Sequence, residues 1–529
     1  MAFAKLQDEP HAVLLQTDEA QVAMEREGAL WKYRDVVLEL KPTQEGLQIC
    51  LTAESTGIRR VALRWRQDIG AGQRVLGDHW ERGYGDLEWR GIIPERVMPW
   101  YFLAYDGRVI RGYGVKTGAA SLCHWQFAQY ELMLCLNVAS GAQGVLLAGR
   151  RLEAAEALYF EREGDPFSGA QAFCRRMCAR PLMPSFPVYG GNNWYYAYGE
   201  SSHHEIIEDS KRMAELATSA ENPPFMVVDD GWQLCHHGAS NGGPWEYANR
   251  RFGDMRRLAE EMKKAGVRTG IWFRPLYTAE KVPRDWVLGQ VGLNQRLDPS
   301  VKGVLEMVAE DVRRIRSWGF DLIKHDFSTF DIFGRWGFQM GDEVTDDGWS
   351  FADRHRTSAE IVTEFYRVIR EAAGEAIVIG CNTIGHLAAG LFEVQRSGDD
   401  TSGEEWERTR ITGVNTLAFH MPQHGTFFAV DADCVGLTNR IPWEMNEQWL
   451  RLLSLSGTPL FVSLAPDACG PREKAALREA FAAAAKPLPP ARPLDWLDSS
   501  CPSVWEIGGK KVFFDWTDPG RGILNPYHL

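Results

Sequence analysis

From Pro187 onward the chain alternates short apolar runs with longer amphipathic stretches, a rhythm that few architectures accept. Strand-like runs fall at 188–192, 225–229, 268–273, 321–325, 376–380, 392–396, 427–430 and 459–463, with helical stretches between most of them. In "GVLEMVAEDVRRIRSWGF", Val304, Val308, Val312, Ile315 and Trp318 share one helix face. Eight strands with interleaved helices over about 280 residues is the plan of a (β/α)8 TIM barrel. A doubly wound open sheet shows the same alternation, and periodicity does not separate the two.

The flanks read differently. Residues 1–180 hold short alternating runs such as "VVLELK", "LQICLTA" and "YELMLCL", punctuated by Gly, Asp and Gln, which favours a β-sandwich. One helix-like stretch follows, closed by prolines at 181, 184 and 187. Past residue 470 come an alanine-rich helix around "AFAAAAK" and two strand-like pieces, "VWEIGG" and "KVFFDWTD". The expected organisation is multidomain α/β plus β: an N-terminal β-sandwich domain over 1–180, a catalytic barrel over 181–470, and a helix with a small C-terminal β domain over 471–529.

Ionisable groups gather where the strands end. The second strand runs into Asp229-Asp230-Gly231-Trp232 and the fourth into Lys324-His325-Asp326. Cys381-Asn382 follows the fifth, Arg396-Ser397-Gly398-Asp399-Asp400 the sixth, and Asp431-Ala432-Asp433 the seventh. In a (β/α)8 barrel these ends converge on one face, where active sites lie. Several carboxylates there, flanked by Trp194, Trp232 and Trp272, describe a carbohydrate pocket, because carboxylates accept from hydroxyls and aromatic faces pack on sugar rings. The plainer alternative for an Asp after a strand is a helix N-cap, and Asp298 and Asp353 are read that way. For Lys324 and Asp326 the alternative is an ion pair at the core edge. By strand alternation His325 points away from both.

Other signals exclude. "DEVTDDG" lacks the order of a calcium loop and reads as a solvated acidic loop; "HHE" at 203 is not HExxH; "SGAQG" lacks dinucleotide spacing. No cofactor and no metal are expected. The net charge of −13 argues against nucleic acid or an anionic membrane as partner. Ten cysteines without a CxxC pair argue against a zinc ribbon or a disulfide framework. The start, "MAFAKLQDEPHAV", does not read as a signal peptide, and no apolar run approaches the roughly 20 residues that span a bilayer. The expected setting is cytoplasmic and reducing, with homo-oligomerisation left open.

The motifs "GGNNWYYAYGE", "VVDDGWQ", "GIWFRP", "LIKHD", "RSGDDT" and "AVDADCV…LSGTPLFVS" resemble the retaining α-galactosidases of glycoside hydrolase families 36 and 27, nearer to family 36. The resemblance covers roughly residues 185–465. It implies an oligosaccharide or α-glycoside substrate, with Asp326 as nucleophile and Asp400, four residues after Arg396, as general acid/base; Asp399 is the runner-up. It implies that Asp229, Asp230, Lys324 and Arg396 grip sugar hydroxyls, with Cys381, Asp431 and Trp194 lining the pocket. Retaining hydrolysis needs an ionised attacking carboxylate, which Lys324 would favour, and a protonated partner, whose pKa burial or Asp399 would raise. Arg274 in "GIWFRP" stands where relatives often carry Glu or a small residue, which suggests a substrate with a polar or anionic substituent; the plainer alternative is a surface ion pair with a helix. The tail ends at "NPYHL", which suggests an abbreviated C-terminal domain. Alternatives are an α-glycosidase or transglycosidase for another or charged sugar, and a non-catalytic sugar-binding protein on the same scaffold.

Overall fold

The computed structural model describes residues 2–237, 240–291 and 294–518. Nine parallel strands form its central sheet. They are β1 (Tyr189–Asn192), β2 (Phe225–Val228), β3 (Arg268–Phe273), β4 (Leu322–His325), β5 (Ile377–Gly380), β6 (Val394–Arg396), β7 (Ala429–Asp431), β8 (Cys434–Leu437) and β9 (Leu460–Leu464). Their spatial order is β7-β6-β5-β4-β3-β2-β1-β9-β8. The two edge strands are separated in the chain only by Ala432 and Asp433, so the sheet curls until its edges meet at one stretch of sequence. All eight expected runs are strands within two residues of their expected ends. The ninth, β8, is the addition. Asp433 has φ +70°, a left-handed conformation that interrupts the pleat and divides the stretch in two.

The strand period of two sorts the side chains. Val227, Leu322, Ile379, Val394 and Ala429 form one compact apolar cluster inside the curl, together with Phe225, Ile377 and Phe461. Two residues further along the same strands, on the same side, stand Asp229, Lys324, Cys381, Arg396 and Asp431. The opposite side carries Val228, Ile323 and Val378, which join the large outer core with Val304, Val308, Val312 and Ile315 of the helix Lys302–Trp318. His325 is on that outer side, fully buried among Phe365, Tyr366 and Phe392. Burial lowers its pKa to about 3, so it is a neutral packing ring.

Two expected helix caps are not caps. The helix at Lys302 begins after Val301, and Asp298 instead binds the backbone N–H of Ser300 and of Ala352, at 2.8 Å each. Thr357 caps the helix Ser358–Ala373, while Asp353 binds the N–H of His355 and pairs with Arg356. In both places the carboxylate holds a turn one step before the helix. The acidic loop from Asp342 is also more than solvated: Glu343 pairs with Arg60 at 2.8 Å and Asp347 with Arg59 at 2.7 Å.

Both arginines lie on strand Ile58–Arg66 of a six-stranded antiparallel sheet, which with a second, eight-stranded antiparallel sheet is drawn from residues 12–163. The eight-stranded sheet sends a long loop, residues 78–97, from strand Arg74–Gly77 toward the central sheet. A three-stranded sheet of Arg492–Pro493, Val504–Ile507 and Lys510–Phe513 follows the helix Pro471–Ala484. Residues 519–529, and with them the expectation of an abbreviated tail, lie outside the described residues. Among the described residues, no helix is long and apolar enough to cross a membrane.

Trp232 belongs to this framework and not to the open end of the sheet. It is fully buried, its rings 5.6 Å from Trp245 and 5.9 Å from Trp318, and its indole N–H donates to the Trp272 carbonyl at 2.9 Å. Trp232→Ala is expected to cost about 3–5 kcal/mol of stability, read as an earlier chemical denaturation midpoint.

Candidate active site

The polar ends of β2, β4, β5, β6 and β7 meet at the carboxyl end of the sheet. Lys324 ties two of them: its ammonium lies 2.7 Å from Asp229 Oδ2, which also accepts from Asn192 Nδ2 at 2.6 Å. Asp229 Oδ1 accepts the N–H of Asp230 at 2.8 Å. Burial pushes the Asp229 carboxyl up despite Lys324 beside it; burial also opposes the Lys324 charge, but Asp229, Cys381 and Asp326 together outweigh it, so the lysine stays protonated. The neighbouring Asp230 accepts from Gln233 Nε2 at 2.6 Å, faces His236 Nδ1 at 3.2 Å, and accepts from Asn241 Nδ2 on its other oxygen at 3.2 Å. With two lone pairs per oxygen, the described contacts leave one free on Asp229 Oδ1 and one on Asp230 Oδ2. The turn after these aspartates requires glycine: Gly231 has φ +118°, and a Cβ there would lie 2.4 Å from the Gly199 carbonyl oxygen.

Removing Lys324 isolates a buried carboxylate. Lys324→Met is expected to cost about 3–5 kcal/mol at neutral pH. The deficit narrows as the pH falls through the carboxylate range, because Asp229 then takes a proton and no longer needs its partner. Denaturant unfolding at two pH values measures both effects.

Asp326 follows Leu322 and Lys324 on the inner side and is only partly buried. Each of its oxygens holds one N–H: Oδ1 accepts from the Phe327 backbone at 2.7 Å and Oδ2 from Trp272 Nε1 at 3.0 Å. Phe327 has φ +64°, a conformation that costs a non-glycine residue about 1–3 kcal/mol and that turns its N–H back onto the carboxylate. Trp272 thus meets Asp326 with its indole edge and is otherwise buried.

Across from it, Arg396 is fully buried and reaches Asp400 Oδ1 at 3.1 Å, Asp433 Oδ2 at 3.0 Å and the Cys381 sulfur at 3.5 Å. Asp399 points elsewhere, to Arg82 at 2.6 Å and Arg408 at 2.9 Å. The Asp400 side chain keeps 38% of its surface exposed. Burial raises its pKa, but Arg396, Arg82 and Lys324 outweigh it and hold the carboxyl down to about 2. This reverses the expectation of a raised pKa, because three cations act on one carboxylate. Asp431, by contrast, is lifted by burial to about 6 against the pull of Arg396.

Arg274 does not face open space either. Its guanidinium forks onto Asp331, with Nε 2.9 Å from Oδ2, and a third donor reaches Asn241. Asp331, on the short helix Ser328–Phe333, is its fully buried partner. Trp194 remains at the rim, half-buried, with its ring 5.5 Å from Tyr198.

The loop 78–97 brings to the site residues that no strand-end motif signals. It docks by backbone hydrogen bonds: Gly83 N–H to Ser397 O and Asp399 N–H to Gly83 O, each 2.8 Å. Arg82 then lies against Asp399 and 3.9 Å from the Cys381 sulfur, with Tyr84 and Trp336 over its guanidinium. Glu81 is buried beside it, accepting from Tyr84, Asn382 and the Gly337 N–H. Among the described residues, no group of three or more His, Cys, Asp or Glu side chains is arranged to hold a metal ion.

No protein-family model and no curated protein matches the chain. Solved structures do. The α-galactosidase TtGalA from Thermus thermophilus, in complex with p-nitrophenyl α-D-galactopyranoside, aligns with TM-score 0.61 over 95% of this chain and 98% of its own, at 19% identity. The fold is that of the GH36 α-galactosidases. A variant of the GH36 α-galactosidase AgaA from Geobacillus stearothermophilus, in complex with raffinose, aligns with TM-score 0.59 over 96% of this chain and 80% of its own, at 12% identity. The GH36 likeness therefore takes in the antiparallel sheets as well as the central one.

Proposed function

We propose that the chain is a retaining glycoside hydrolase that removes terminal α-galactosyl residues, or closely related α-glycosyl residues, from oligosaccharides. The observation that carries this is the pair of separate carboxylates, Asp326 and Asp400, facing the same Lys324–Cys381–Arg396 block in a fold shared with α-galactosidases. Asp326 attacks the anomeric carbon and forms a covalent glycosyl ester while the leaving oxygen takes the proton of Asp400. Water, deprotonated by Asp400, then releases the sugar with its configuration retained. Asp229 and Asp230 each keep one lone pair for a sugar hydroxyl, and the Lys324 and Gln233 contacts fix their direction. A sugar hydroxyl whose oxygen accepts from Arg396 competes with Asp400 for the guanidinium and so favours protonation of the acid.

The same reading takes β7 and β8 as one kinked strand of a closed (β/α)8 barrel. A sandwich over 1–180, the barrel over 181–470 and a small β domain over 471–529 then make up the chain. Arg274 no longer supports a charged sugar, since Asp331 and Asn241 occupy it. Proton NMR of p-nitrophenyl α-galactoside hydrolysis tests the proposal: α-galactose must appear first. First formation of β-galactose would sink the double displacement, and tight sugar binding with no turnover would identify a binding protein.

A further inference from the structure

Arg274 is a buried cation with side chains on all sides, and its contacts run to two different working groups. One face of its guanidinium lies 3.8 Å from the Tyr277 ring and the other 4.1 Å from the Phe327 ring. Nε and Nη2 hold the two oxygens of Asp331, whose own N–H donates to the Phe327 carbonyl at 2.8 Å. The strained Phe327 is therefore clamped from two directions, and Phe327 supplies the N–H that holds Asp326 Oδ1. The third arm, Nη1, holds Asn241 Oδ1 and leaves the amide nitrogen of Asn241 to donate to Asp230 Oδ2 at 3.2 Å. A planar guanidinium alone offers this geometry, two flat faces and a fixed fork of donors; an ammonium has neither.

We infer that Arg274 is a positioning residue that sets two carboxylates at once, Asp326 through Phe327 and Asp230 through Asn241. The inference rests on the proposed glycosidase reading. It gives Arg274 no contact with substrate and divides its effect between two arms. The Phe327 arm governs the attacking oxygen and therefore kcat. The Asn241 arm governs a hydroxyl-binding oxygen and therefore KM.

The experiment compares Arg274→Lys, Asn241→Ala and Phe327→Leu on p-nitrophenyl α-galactoside, each counted by active-site titration, and measures binding of a galactose-configured iminosugar by calorimetry. Phe327→Leu is expected to lower kcat about 10–100-fold with KM within about twofold of wild type. Asn241→Ala is expected to raise KM and weaken iminosugar binding about tenfold, with kcat little changed. Arg274→Lys, which keeps the charge, shows both losses; if it does not fold by circular dichroism, the two single arms decide. Wild-type kcat and KM in Arg274→Lys would overturn the inference, as would Asn241→Ala and Phe327→Leu losing the same parameter in the same proportion. Absence of turnover in the wild type refutes the glycosidase reading instead. The calorimetry then tests the Asn241 arm alone: equal affinity in Asn241→Ala and wild type overturns the inference.

Discussion

Asp326→Ala is expected to lower kcat on p-nitrophenyl α-galactoside by at least about 10⁴-fold, and added azide is expected to restore part of it with β-galactosyl azide as product. The loss follows from removing the oxygen proposed to form the covalent bond. The rescue follows from what stays behind. Trp272 Nε1–H and the Phe327 N–H, at 3.0 and 2.7 Å from the native carboxylate, still point into the vacated space. They present two donors to a small anion on the face opposite the leaving group. One displacement without a covalent intermediate inverts the anomeric centre, hence the β-azide. Undiminished hydrolysis in the variant, or an α-azide, would show that Asp326 does not attack.

Asp400→Ala carries the second large effect, and its size should depend on the leaving group. General acid catalysis contributes about 10²–10⁴-fold where the departing oxygen needs a proton. On raffinose, whose leaving group is an alkoxide, kcat/KM is expected to fall by that much. On 2,4-dinitrophenyl α-galactoside, whose phenolate leaves unaided, kcat/KM should be nearly kept while the slow second step lets glycosyl-enzyme accumulate, detectable by mass spectrometry. Asp399→Ala lacks this signature, because Asp399 is engaged by Arg82 and Arg408 and serves to anchor the loop from the antiparallel sheet. Leaving-group dependence in Asp399→Ala and not in Asp400→Ala would exchange the two roles.

Much of the candidate site could be read from the sequence because the strand period links it to the core. Leu322 is apolar and inward, so Lys324 and Asp326 are inward too, and the same step places Asp229, Cys381, Arg396 and Asp431. That logic stops where the pleat stops. Nothing in "DADC" announces the left-handed Asp433 that divides β7 from β8. Residue type also does not say which way a large ring turns: Trp194 is at the rim, Trp272 shows only an edge and Trp232 is interior, although all three follow or end strands. Partners across elements are equally silent, and Arg274 finds Asp331 on a helix 57 residues away. The Asp400 carboxyl shows the cost of missing partners. Judged from Asp399 alone its pKa should rise, but Arg82, 318 positions upstream by residue number, helps to reverse the sign.

That distance has a kinetic consequence. The loop 78–97 reaches the central sheet and its connections through Gly83 with Ser397 and Asp399, Trp80 with Gly341, and Asn415 with Leu87, all contacts of very high sequence separation. Such contacts close large entropic loops and form late. During refolding, helical circular dichroism from the parallel sheet's helices should therefore recover before enzymatic turnover does. A chain lacking its first 180 residues would regain the former and never the latter. Under the proposed function, catalytic competence is in that sense a report on assembly, acquired when two remote parts of the polypeptide finally engage.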